Sequence, residues 1–227
     1  MVQNLQKTKQ SLAVRAYEIL HEKIITMELE PGTHLDEKEL VQELGIGRTP
    51  VREALLRLTT ESLVKSEPNK GFVVKPLTLQ DVKAMFEALN VIETGICPLT
   101  LAQDTTECVT LMKQAHERVK RAISETNLLE LVRANHDFHM HFARCSGNQY
   151  LIRALNEVRN EVNRLAYLSF GGDLTLRGDL HQHYQTVIEE HALIITYLKK
   201  KDPEALRQII KDHIRTFQHR VIKYLTS

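Results

Sequence analysis

Residues 134–148 read ANHDFHMHFARCSGN, with His136, His139 and His141 alongside Asn135 and Asp137 in seven consecutive positions. Imidazole, carboxylate and amide groups hold divalent metals and move protons, so the question is which of these side chains face the same way. A helix turns 100° per residue. With His139 at the centre, Leu128, Val132, Asn135 and Phe142 fall within about 60° of it. Asp137 and His141 fall on the opposite side with Glu130, Arg133 and Arg144, where they read as a solvated pair, and His136 lies on the boundary.

The same test centres His191 among Tyr184, Val187, Ile188, Ile194, Ile195 and Leu198, and His213 among Leu206, Ile209, Ile210, Phe217 and Tyr224. Three apolar stripes thus each carry one histidine at their middle. A buried imidazole without a partner costs roughly 1–3 kcal/mol. Two arrangements answer that cost: a separate carbonyl or hydroxyl for each ring, or one divalent metal shared by all three with Asn135 beside them. The other histidines, His116 and His183 among them, read as surface or supporting residues.

These stripes need helices to carry them. The spacing predicts helices over 78–103, 106–124, 127–145, 148–170, 175–200 and 203–225, with breaks at Glu125-Thr126-Asn127, Ser146-Gly147, Gly171-Gly172-Asp173 and Asp202-Pro203. The pattern before Pro76 differs. Residues 13–27 and 36–44 form two helices separated by Pro31-Gly32, and a third, 49–63, follows the tight turn at Gly45-Ile46-Gly47. Thr49 is the expected N-cap of that third helix, with Pro50 in its first position. Leu63–Lys65 and Phe72–Val74 flank Pro68-Asn69-Lys70-Gly71 as a β-hairpin. The expected fold is mainly α: a winged helix-turn-helix over 1–76, then an all-helical bundle of six helices over 77–227.

Val51, Ala54, Leu55 and Leu58 share the inner face of the third helix, which turns Arg48, Thr49 and Arg52 outward at its N-terminus. That is where a helix entering the major groove presents guanidinium forks to guanine O6 and N7. Charge alone does not announce a nucleic-acid partner: eleven Lys and Arg meet eleven Asp and Glu up to Pro76, and the whole chain carries a net charge of +1. Three widely spaced cysteines, Cys97, Cys108 and Cys145, suit a reducing cytoplasm better than a disulfide framework. No apolar run approaches the roughly 20 residues of a membrane span.

LEPGTHLDEKELVQELGIGRTPVREALLRLTTESLVKSEPNKGFVV closely resembles the DNA-binding domain of GntR-type bacterial transcription regulators. The resemblance implies DNA contacts from Lys38, Arg48, Thr49, Arg52 and the wing around Lys70 and Gly71. Gly47 stands where that family usually has Ser. Residues 78–225 resemble the helical FCD effector domain of the FadR subfamily, in its shorter VanR-like branch. The resemblance is carried by NHDFHMHFARCSGNQYL and EEHALIITYLKKKDPEALRQIIKDHI. Metal-binding members use an Asp and three His, which match Asn135, His139, His191 and His213. A divalent transition metal (Zn, Ni or Mn), a small carboxylate effector, a homodimer and a pseudo-palindromic operator are implied with them.

Two departures mark this chain. Asn135 removes the anionic ligand, so a bound M²⁺ keeps a formal charge of +2. Leu89 stands where an Arg often sits, which leaves Arg220, on the His213 stripe, as the candidate to grip the effector carboxylate unless it snorkels to the surface. The expected function is a ligand-responsive repressor and not an enzyme. A zinc hydrolase needs a general base near the metal, and neither inward stripe offers a convincing Glu or Asp. The remaining alternative is an interaction module whose helix-turn-helix no longer binds DNA.

Overall fold

The computed structural model describes residues 11–67, 71–171 and 177–226, and internal contacts divide the chain between Pro76 and Leu77. In the first unit, Ser11 caps α1 (Leu12–Ile25) and Asp36 caps α2 (Glu37–Leu44) by accepting from the Lys38 and Glu39 amides. Gly45 leaves α2 in the left-handed region at φ 62°, a conformation that costs glycine nothing. The short turn that follows leads into α3 (Arg48–Thr60). Val51, Ala54, Leu55 and Leu58 are buried there, against Ala16, Leu20 and Ile24 of α1.

The α3 cap differs from expectation. Gly47 is the N-cap and has no side chain with which to accept, so Arg48, Thr49 and Pro50 occupy the first three helical positions. The hairpin is β2 (Val64–Glu67) and β3 (Gly71–Val74), antiparallel with Val64 opposite Val74 and Glu67 opposite Gly71. A short strand, β1 (His34–Leu35), adds to the free edge of β3 and gives the order β1-β3-β2. With only two residues it has no alternation for sequence reading to detect.

The second unit consists, among the described residues, of α4 (Leu79–Leu101), α5 (Thr106–Ser124), α6 (Leu128–Arg144), α7 (Gln149–Gly171), α8 (Arg177–Lys200) and α9 (Pro203–Thr226). These follow the expected six closely, and several boundaries have a cap with a mechanism. Thr78 and Asp81 form a reciprocal capping box at α4, and Asn127 accepts from the Glu130 amide at α6. After Gly147, Asn148 accepts from the Tyr150 and Leu151 amides to start α7.

α6 packs between α5 and α7, α4 against α7 and α9, and α8 against α5 and α9. Phe86, Leu89, Ile96, Met112, Phe138, Phe142, Leu155, Ile194, Leu198 and Ile210 fill the interior. The middle of α7 breaks the usual pattern, because Arg159, Asn160, Glu161, Asn163 and Arg164 are all buried. A polar run of that kind inside a core has to meet other polar groups.

Candidate functional site

His139 of α6, His191 of α8 and His213 of α9 converge as expected: one ring nitrogen from each lies within 4.8 Å of the others. His139 and His191 are fully buried and His213 nearly so. The Nε2 atoms of His139 and His213 face each other at 3.2 Å. Their Nδ1 atoms lie next to carboxylates: His213 Nδ1 is hydrogen-bonded to Glu190 at 2.8 Å, and His139 Nδ1 stands 3.3 Å from Glu93 Oε2 without hydrogen-bond alignment. Thr216 donates to the other Glu190 oxygen at 2.6 Å, while Arg159 donates through Nε and Nη2 to the other Glu93 oxygen. Glu93 and Glu190 were both missed in the sequence, where no acidic residue was expected near the stripes. Glu190 is engaged through both oxygens, and Glu93 through the one that Arg159 holds.

His191 is held differently. Its ring stacks on Phe138, with centroids 3.8 Å apart and planes 11° from parallel, and among the described residues neither of its nitrogens has a hydrogen-bond partner. Burial pushes His191 well below the ordinary histidine range, and burial with the nearby Arg159 charge brings His139 down to about 3. Burial alone would raise Glu93, but the charges of Arg159 and His139 outweigh it and hold that carboxyl well below the usual range.

The geometry fits a cation. With a carboxylate beside each Nδ1 to favour the proton there, His139 and His213 turn their Nε2 atoms toward each other. A proton between them would satisfy that pair alone and leave both nitrogens of His191 bare. A divalent ion answers all three rings. With metal–nitrogen bonds of about 2.0–2.1 Å, two ligand nitrogens stand roughly 3.0–3.4 Å apart, which brackets the observed 3.2 Å. The His191 ring has further to come and can do so by sliding in its stacking plane.

Asn135, one turn before His139 on α6, is half-buried and lines a cavity beside the histidines with Arg159, His183 and His213. Leu89, Phe170, Val187 and Phe217 form apolar parts of its wall. The centre of a water-sized sphere has about 30 Å³ in this cavity, room for one or two waters. His183 faces it with an unpartnered Nε2, and burial lowers that ring to about 4.

The surface reading therefore fails for His183. It fails also for His116, which is buried edge-on to His191 at 5.8 Å. Arg220 does not snorkel: it is buried and donates through Nε and Nη2 to the Ser169 carbonyl. The arginine that lines the cavity is Arg159 of α7. Asp137 does not pair with His141 but with Arg118 at 2.6 Å, and His141 meets Arg144 instead.

In the first unit Lys38, Arg48, Thr49 and Arg52 are exposed on α2 and at the start of α3. Glu37 takes one bond from each arginine, Arg52 at 2.8 Å and Arg48 at 3.4 Å. Gly71 opens β3 at φ 81°, a left-handed conformation that explains glycine at the base of the wing. Lys70 lies outside the described residues.

A winged helix with outward arginines, followed by a helical domain with a largely apolar cavity beside three convergent histidines, defines a two-domain transcription regulator. Residues 12–74 match the family described as "Bacterial regulatory proteins, gntR family", and residues 84–216 match the FCD domain. The chain belongs to the GntR family of bacterial transcription regulators, in the group with an FCD effector domain. It is 27% identical over 198 residues to the uncharacterized HTH-type transcriptional regulator YdhC of Bacillus subtilis (strain 168), covering 87% of this chain and 85% of that one. It is 24% identical to the HTH-type transcriptional repressor RspR of Escherichia coli (strain K12), covering 90% and 86%. Among solved structures, E. coli McbR/YncC shares the fold with a TM-score of 0.76 at 21% identity, covering 94% of this chain and 98% of that one. These relatives are regulators and not enzymes. Among the described residues, no helix is long and apolar enough to cross a membrane.

Proposed function

We propose that this regulator is a repressor whose helical domain holds a divalent metal at His139, His191 and His213, with Asn135 beside them, and senses a small organic acid through it. The observation that carries this reading is the pair of facing Nε2 atoms beside a buried imidazole with no partner on either nitrogen. Nitrogen-rich donors suit Zn or Ni better than Mn. When bound, the metal supplies an electrophilic centre that attracts a carboxylate. Because Asn135 is neutral, the first coordination sphere contributes no negative charge, which strengthens that attraction. Arg159 lines the same cavity as the histidines and adds a second positive group.

In the same reading α3 enters the major groove of a pseudo-palindromic operator bound by a homodimer, with Arg48 and Arg52 on base edges. Lys38, Thr49 and the wing at Lys70 and Gly71 contact the backbone. The acid acts by binding the DNA-free state more tightly than the DNA-bound one, since differential affinity is all a ligand contributes.

The test is metal per chain by elemental analysis of untagged protein, beside His191→Ala. About one metal in the wild type and none in the variant is expected. Little metal in both, with the histidines intact, overturns the metal reading.

A further inference from the structure

Glu37 occupies a place that DNA recognition does not require. It is the first residue of α2, directly after the capping Asp36, and its side chain is 16% exposed. The arginines it binds are 69% exposed at Arg48 and 55% exposed at Arg52. Each carboxylate oxygen serves one arginine: Oε1 accepts from Arg52 Nη1 and Oε2 accepts from Arg48 Nε. A guanidinium has five N–H donors, so each arginine keeps four for DNA. Arg52 retains the edge formed by Nε and Nη2, and Arg48 the edge formed by Nη1 and Nη2. Either edge can form a two-point contact with guanine O6 and N7.

We infer that Glu37 is a selectivity-determining residue: it holds Arg48 and Arg52 in one arrangement before contact and keeps both from pairing freely with phosphate. Free arginines sample many rotamers, and fixing each on binding lowers affinity for the site that needs them fixed. An arginine released from Glu37 reaches any phosphate, which strengthens binding most on sequences that offer it no guanine. A carboxylate at the contact face adds repulsion toward the DNA backbone without regard to sequence, which weakens non-specific binding but cancels in the ratio. The fixed arrangement and the withheld phosphate contacts raise the ratio of specific to non-specific affinity. The inference rests on the reading of α3 as the DNA-contacting helix and is independent of the metal.

The experiment uses the full-length chain. A duplex is selected from a random pool by the wild-type protein, and a scrambled duplex of equal composition serves as the non-specific target. Fluorescence anisotropy then gives Kd for both, over a range of salt. For Glu37→Gln the scrambled duplex is bound more tightly, the ratio of the two affinities falls by roughly tenfold, and the non-specific salt slope steepens by about one. Glu37→Asp, with the charge kept on a shorter arm, retains the salt slope.

In an Arg48→Gln/Arg52→Gln background, adding Glu37→Gln leaves the ratio unchanged, because nothing remains for Glu37 to hold. An unchanged ratio in Glu37→Gln alone overturns the inference, as does an equal loss on both duplexes. If the effect persists in the double-arginine background, Glu37 reads DNA itself and the positioning role is wrong. If the double-arginine variant keeps full selectivity, the assignment of α3 fails instead.

Discussion

Acidification without metal should unfold the helical domain steeply, and the slope can be worked out from three rings. His139, His183 and His191 are buried, and their folded-state values lie below the ordinary 6.5: about 3, about 4 and well below, respectively. Below pH 6.5 the unfolded chain protonates these imidazoles while the folded chain does not. Stability is therefore fully present above that pH and falls as pH drops toward about 4.

Each ring contributes about 1.4 kcal/mol per pH unit, so three contribute about 4 kcal/mol between pH 7.5 and 5.5. A domain holds only about 5–15 kcal/mol in total, which leaves little margin at the lower pH. Hydrogen exchange of peptides from α6, α8 and α9, in chelator and corrected for intrinsic rates, reads this domain within the intact chain. Protection should fall about a thousandfold, which corresponds to the same 4 kcal/mol. His191→Phe, whose ring can keep the stack on Phe138, should remove one proton from the slope. A slope of less than one proton in the wild type would refute the argument that these rings are buried and neutral.

Glu190→Gln should weaken metal binding by roughly 10–100-fold in a chelator competition, because His213 loses the carboxylate that fixes its tautomer. Unchanged affinity would remove Glu190 from the site. Arg52→Ala should reduce operator affinity by about 1–3 kcal/mol and relax selectivity at one base pair; undiminished protection in footprinting would mean that α3 does not read the DNA. Gly47→Ser should raise the melting temperature slightly, by a few tenths of a kcal/mol, since a hydroxyl would cap α3. A Cβ there meets only Pro50 Cδ at 3.9 Å, so a destabilised variant would contradict the cap geometry.

The inward histidines were legible because each is a polar residue centred in an apolar stripe. Glu93 meets the same test: Val82, Phe86, Leu89, Ile96, Cys97 and Thr100 are buried around it on α4. A carboxylate at the centre of an apolar stripe carries the same signal as an imidazole there. Glu190 was harder, since it stands next to His191 and so a full 100° around the helix from it. It reaches the site because α9 packs alongside and brings His213 to it. Arg159 gave no periodic signal, because the middle of α7 is buried through polar residues on several sides. In the first unit, Thr49 as the expected cap lies two residues past the true cap, Gly47; a glycine cap leaves no side-chain mark in the sequence.

The stack of His191 on Phe138 has a consequence for which ion the proposed centre accepts. His213 is clamped through Nδ1 by Glu190, and His139, fully buried with Glu93 beside its Nδ1, faces it to complete a pair of donors. His191 is held by its flat stack on Phe138 and by ring contacts with His116, His139 and His213, with no hydrogen bond to fix its orientation among the described residues. A half-turn about its Cβ–Cγ bond puts Nδ1 where Cδ2 was and Nε2 where Cε1 was while the stacking survives. The third donor is thus a sliding jaw opposite the other two. Such a vice closes on ions of different radius and preferred angle, so supply in the cell, more than the shape of the cage, would decide the occupant.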